Sequence, residues 1–182
     1  MKTLKLCLAM VMVLAVGSHL GCSKASTKSP DVSDSVRKSL DQAGLKAVSV
    51  SQDPDKGVVT LSGNLASDAD KAQAESIATS LAAGQVVSNQ IAVITPGTES
   101  DTKTVNSDLD KGIGKNLDAA LIQNRLHKSV NYDVKNGVVT LPGEVNSQAK
   151  RREAEQVAKG VPNVQQVVNE LEIKDQKASS TQ

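Results

Sequence analysis

The sequence predicts an α+β protein of two tandem units. Each unit has the element order αββαβ, with its helices on one face of a small three-stranded mixed sheet. Three observations predict this. First, Gly57–Val93 aligns with Gly137–Ile173 at a constant offset of 80 residues, without a gap over 37 positions. The two segments share GVVTL and the pairs Gly63/Gly143, Ser67/Ser147, Ala74/Ala154, Glu75/Glu155, Ala78/Ala158, Val87/Val167 and Asn89/Asn169. Second, glycine-marked turns separate short runs of alternating apolar residues, the pattern of half-buried strands. Third, each copy carries one apolar stripe at helical spacing.

The elements follow in order. A first helix is expected from about Val32 to Gln42 and from about Leu109 to Asn124. A first strand follows at Val48–Ser51 and at Val130–Lys135, where Val130, Tyr132 and Val134 alternate. Asn136-Gly137 between two alternating runs is a strong hairpin signal, and the first copy uses the longer DPDKG, ending at Gly57. The second strands are Val58–Ser62 and Val138–Leu141, ended by Gly63 and Gly143, where the backbone needs a positive φ or a close approach. Ser67 and Ser147 stand where N-caps are needed. The second helix places Ala74, Ile77, Ala78 and Leu81 on one face, and Ala154, Val157, Ala158 and Val161 repeat the stripe. Gly84 ends the first copy of that helix, and Gly160 with Pro162 the second. Third strands close the units at Val86–Ile94 and Val164–Ile173; the crossover through the helix makes them parallel to the second strands.

The resulting organisation has a signal peptide at 1–21, a tether at 22–30, a first unit at 31–94, a linker at 95–106, a second unit at 107–174 and a polar tail at 175–182. Each unit of about 65 residues lies near the lower limit for independent stability.

Composition excludes several functions. With 21 basic and 20 acidic residues the net charge is +1, so the basic surplus of a nucleic-acid binder is missing. There is no Phe or Trp, and Tyr132 is the lone Tyr, which removes stacking platforms for bases or sugars. A content of 38% hydrophobic and 23% charged residues reads as globular rather than disordered.

The first residues read as an export signal. Lys2 and Lys5 precede Leu6–Val16, an apolar run of 11 residues, too short to span a bilayer. Leu20-Gly21-Cys22 resembles the end of a bacterial lipoprotein signal, although His19 departs from the usual Leu. Cys7 leaves with the signal, so Cys22 would be the one thiol of the exported chain; thioether linkage to a diacylglycerol explains such a residue. Ser23 after the cysteine resembles the outer-membrane sorting signal. The alternative is ordinary cleavage and a soluble periplasmic protein.

The repeated unit resembles the BON (bacterial OsmY and nodulation) domain. The resemblance rests on the αββαβ order, GVVTLSG and GVVTLPG, Ala74-Glu75 and Ala154-Glu155, and the closing Val161-Pro162-Asn163-Val164-Gln165-Gln166-Val167-Val168-Asn169. The first copy departs, with Ala82-Ala83-Gly84-Gln85 before its closing strand. The resemblance implies a non-enzymatic envelope module that binds phospholipid, in a setting of osmotic or envelope stress. It implies no cofactor, metal or catalytic residue.

Candidate headgroup contacts are Lys150, Arg151, Arg152 and Lys159 on the second helix of the second unit, because clustered cations bind phosphate. Glu153 and Glu155 among them make a solvated charge ladder the competing reading. The first unit carries net −3 over 31–94 and the second is neutral over 105–175, so the second is the better lipid contact. Serines 35 and 147 match S-x-x-K, without the S-D-N and K-T-G partners of the acyl enzymes. His127 has no evident partner, and Gly112-Ile113-Gly114 follows no strand. Partners are therefore expected to be the membrane, through the acyl anchor and headgroups, or envelope proteins pairing with a sheet edge; nucleic acid is not expected.

Overall fold

The computed structural model describes residues 28–174. The signal peptide, Cys22, most of the tether and the polar tail lie outside the described residues.

The first unit comprises α1 (Ser33–Gln42), β1 (Val48–Asp53), β2 (Val58–Leu65), α2 (Asp68–Leu81) and β3 (Val86–Val93). The second comprises α3 (Glu99–Gln123), β4 (Asp133–Lys135), β5 (Val138–Val145), α4 (Gln148–Lys159) and β6 (Gln166–Ile173). The central strand of each sheet pairs antiparallel with the strand before it and parallel with the strand after it. The α+β class and the αββαβ order are those expected from the repeat.

Burial follows the pleat. Val59, Leu61, Val87 and Ile91 turn to the helices with Val36, Leu40, Ala74 and Ala78. Val139, Leu141 and Leu171 do the same with Ile113, Leu117, Leu121, Ala154 and Ala158. Alanine at the contact lets α2 and α4 lie close to their sheets. Both helices are capped as expected: Asp70 N donates to Ser67 Oγ at 3.1 Å and Lys150 N to Ser147 Oγ at 3.3 Å.

Four expectations are corrected. Residues 99–106, assigned to the linker by composition, are helical, and α3 begins at Glu99 rather than Leu109. Ser, Thr and Asp favour turns because their side chains bond local backbone. Here those bonds run along the helix instead, with Thr104 Oγ1 donating to Ser100 O at 2.9 Å. Glu99 and Asp101 in the first turn suit the helix dipole, and the packed half of α3 supplies the nucleus from which the rest extends.

The second correction concerns Gly63 and Gly143. Both have the expected positive φ, +131° and +113°, but they lie inside β2 and β5 rather than at their ends. The third is β4, which spans three residues instead of the expected Val130–Lys135. Continuing its register would set Asn131 opposite Pro142, which has no N–H to give, and the pairing stops at Thr140. The fourth is the end of the tether. Ser29 N donates to Pro54 O at 2.8 Å, and Pro30 O accepts from Gln52 Nε2 at 2.7 Å and Gln85 Nε2 at 3.0 Å, so these residues are bound to the first unit.

Tyr132 is partly buried against the second core, its hydroxyl donating to Gly114 O at 3.0 Å.

Candidate functional site

The four candidate cations on α4 do not form one cluster. Arg152 and Lys159 lie on the exposed face, and Lys159 pairs with Glu155 one turn earlier at 2.5 Å. Lys150 is half-buried beside the N-cap. Arg151 turns along the sheet, donating from Nη2 to Asn169 O at 3.3 Å, and its Nε is buried without a hydrogen-bond partner.

Arg151 belongs to a polar clamp that occurs once per unit. Asn169 Nδ2 donates to Glu155 Oε2 at 3.0 Å and to Arg151 O at 3.1 Å, while its Oδ1 accepts from Leu171 N at 3.2 Å. In the first unit Asn89 Nδ2 donates to Glu75 Oε2 at 3.0 Å and Lys71 O at 3.4 Å, and Oδ1 accepts from Ile91 N at 3.4 Å. The clamp ties the second helix to the closing strand. The Asn169 amide, and then the Lys159 ammonium, hold the Glu155 carboxyl below the ordinary carboxylate range. The repeated Glu and Asn pairs were visible in the alignment, but only the fold brings these side chains, 14 positions apart, together.

The units dock through the sheet faces turned away from the helices. Val58 meets Val138 and Val168 there, all buried. Polar contacts surround this patch. Gln166 donates from Nε2 to Val87 O at 2.6 Å and accepts at Oε1 from Asn89 N at 3.0 Å. Asn136 Nδ2 donates to Gln90 O at 2.8 Å. Lys56 Nζ lies 2.6 Å from Glu170 Oε2, and this bond raises the lysine pKa. Lys71 Nζ donates to Gln165 Oε1 at 3.2 Å; burial lowers its pKa. Replacing Gln166 with alanine removes two bonds and bares a backbone donor and acceptor, so we expect a loss of about 2 kcal/mol. Hydrogen exchange should then quicken at the Asn89 amide while the core amides of both units keep their protection.

A cleft of about 620 Å³ opens at this junction, between Asn64, Ala92 and Ile94 on one side and Lys103, Asp110 and Tyr132 on the other. Asp110 is committed to structure: its carboxylate accepts from Asn136 N at 2.8 Å and Gly137 N at 2.9 Å, holding the β4–β5 hairpin. Both turn residues have positive φ, +48° and +76°, the conformation that selects Asn-Gly. Gly57, with φ +66°, ends the longer β1–β2 turn, where Asp53 Oδ1 accepts from Asp55 N and Lys56 N, both at 3.1 Å. His127 is exposed, and among the described residues no three His, Cys, Asp or Glu are placed to hold a metal. No helix among them is long and apolar enough to cross a membrane.

Comparison with known proteins resolves the family. The model of the BON domain matches residues 29–95 and 109–175. The chain belongs to the BON domain family. It is 31% identical over 143 residues to osmotically-inducible protein Y of Escherichia coli K12, covering 74% of this chain and 67% of that protein. Two solved structures of CdsD, a structural protein of the type III secretion system of Chlamydia trachomatis, are similar at 18% identity and a TM-score of 0.32. The match covers 77% of this chain and 62% and 66% of those chains, less than two thirds of their length. The two BON units differ in their first helix, 10 residues at α1 and 25 at α3, and in their first strand, six residues at β1 and three at β4.

Proposed function

We propose that this BON protein is a non-enzymatic binding module of the periplasmic face of the cell envelope, acting in osmotic or envelope stress. Support for the setting comes from the two BON units and from the osmotic inducibility in the relative's name. In this reading Cys22 is acylated and holds the chain at the outer membrane, and the second unit meets phospholipid headgroups.

The observation that carries the membrane contact is the direction of α4. The sheets dock on each other, so the helices form the outer layers, and Arg152 and Lys159 point away from the body. Arg151 is engaged with the sheet and is not counted among the contacts. A tethered site of this kind works at high effective concentration, so weak intrinsic affinity suffices.

The test is vesicle co-sedimentation of the non-acylated chain, residues 23–182, at low salt. Each cation near an anionic surface contributes about 1 kcal/mol. An Arg152→Gln/Lys159→Gln variant is expected to bind phosphatidylglycerol vesicles roughly 30-fold more weakly, with phosphatidylcholine vesicles unbound throughout. Equal binding by both chains would remove α4 from the contact.

A further inference from the structure

The two units hold each other at two turns related by the repeat. Lys56, the residue before Gly57, reaches Glu170 on β6. Asn136, the residue before Gly137, reaches Gln90 on β3. Lys56 and Asn136 are 80 positions apart, and so are Gln90 and Glu170, so the two contacts are counterparts across the junction. Their chemistry differs. The first is an ion pair between side chains, whereas in the second an amide Nδ2 donates to a backbone carbonyl at 2.8 Å. Asn136 is also the one Asn of the chain that precedes Gly.

An Asn-Gly pair has a covalent chemistry of its own. The Gly nitrogen, unshielded because Gly has no Cβ, attacks the side-chain carbonyl carbon of the Asn. In this chain Gly137 N gives its proton to solvent base and bonds to Asn136 Cγ. The Cγ–Nδ2 bond breaks, and the nitrogen takes up a proton from solvent and leaves as ammonia. Water then opens the cyclic imide at either carbonyl, leaving aspartate or isoaspartate at position 136. Three hydrogen bonds oppose the first step. Gly137 N donates to Asp110 Oδ1 at 2.9 Å, and Asn136 N to Asp110 Oδ2 at 2.8 Å. The carboxylate also opposes ionisation of the Gly137 N–H, because an amide anion beside it is a second negative charge. The third bond, to Gln90 O, holds the leaving amide toward the first unit. Water has access, since Asp110 and Asn136 both line the cleft of about 620 Å³.

We propose that Asn136-Gly137 is a latent deamidation site restrained by Asp110, and that its conversion undocks the two units at this turn. Aspartate at 136 sets a carboxylate where the amide donor stood, facing Gln90 O, so an attraction becomes a repulsion. It also adds a negative charge to the residue whose N–H Asp110 holds. Isoaspartate adds a carbon to the main chain of a two-residue turn and breaks the pairing of Lys135 with Val138. The Lys56–Glu170 contact is unaffected, so the junction opens at one of its two turns. Ring closure requires Asp110 to let go, so the reaction reports how often α3 and the β4–β5 turn part.

The experiment ages the labelled chain, residues 23–182, at mildly alkaline pH and follows position 136 by peptide mass spectrometry and NMR. The reference is the free peptide of residues 132–140, which has the turn sequence without Asp110. Asn136 is expected to convert about 10- to 100-fold more slowly in the folded chain than in the peptide. Asp110→Asn keeps the shape and removes the charge. It is expected to speed conversion about 10-fold while the core amides of the second unit keep their protection. Conversion of the folded chain at the peptide's rate, or an unchanged rate in Asp110→Asn, overturns the restraint. The consequence is read in two further variants. Asn136→Asp carries the product's charge in a sequence the turn also accepts, and Asn136→Gly loses the amide without adding charge. Exchange at the Asn89 amide, beside Gln90, is expected to quicken about 10-fold in the first and less in the second. No quickening in Asn136→Asp, or the same quickening in both variants, overturns undocking by charge.

Discussion

Replacing Gly63 with alanine will unfold most of the first BON unit, whereas the equivalent change at Gly143 will be survived. Both glycines have φ above +100°, where a side chain is strained by about 1–3 kcal/mol. They differ in what a Cβ meets. At Gly63 it would lie 2.3 Å from Ala47 O, a backbone atom that moves only with the start of β1. At Gly143 the nearest atom is Asn131 Nδ2, at 3.9 Å. The difference traces to the paired strands: β1 pairs with Gly63 through Val48, while β4 stops short of Gly143. We expect Gly63→Ala to cost about 4 kcal/mol or more, close to the whole stability of a unit this small. Gly143→Ala should stay in the range of about 1–3 kcal/mol. Urea unfolding followed by amide resonances of each unit measures both; equal losses at the two sites would refute the steric account.

The second large effect is expected at Asn169. Alanine there removes three hydrogen bonds and leaves the Glu155 carboxylate, Arg151 O and Leu171 N–H without that partner. A loss of about 2–3 kcal/mol at neutral pH is expected, because unpaired groups at a helix–sheet contact are costly. The effect depends on pH with a definite sign. Glu155 has a folded-state pKa below its unfolded value, mainly through the Asn169 amide and next through Lys159. Its contribution is present above the ordinary carboxyl range, near pH 4.5, and is lost as pH falls through the lower folded value. The stability gap between the parent chain and Asn169→Ala should therefore be full at pH 7 and narrow below about pH 4.5. Thermal unfolding across that range reads it directly. A gap that stays constant into acid would mean that the amide acts on something other than the ionised carboxylate.

How much was legible depends on the range of each interaction. The alanine stripes, serine caps and Asn-Gly turn act within a few residues, and local periodicity revealed them. Residues 99–106 misled because their composition favours local side-chain bonds in turns and helices alike, and packing at Ile113 and Leu117 tips the balance. Arg151 misled for a different reason. Three consecutive cations look equivalent along the chain, but a helix turns about 100° per residue, which puts Arg151 on the sheet and Arg152 in solvent. Gln166 gave no signal: an exposed-looking glutamine in a closing strand becomes a surrogate strand once a second sheet edge stands opposite.

The sequence by itself determined the duplication, the order αββαβ, both cores and the family, because these rest on patterns repeated every two or 3.6 residues and copied across 80 positions. Only the tertiary structure decided which edges are closed, which cation is withdrawn from the helix face, and which glycine is crowded. Those outcomes depend on atoms from segments far apart in the chain. A difference of a few ångströms, such as Ala47 O over Gly63 against open space over Gly143, is set by how strands pair and not by the residue itself.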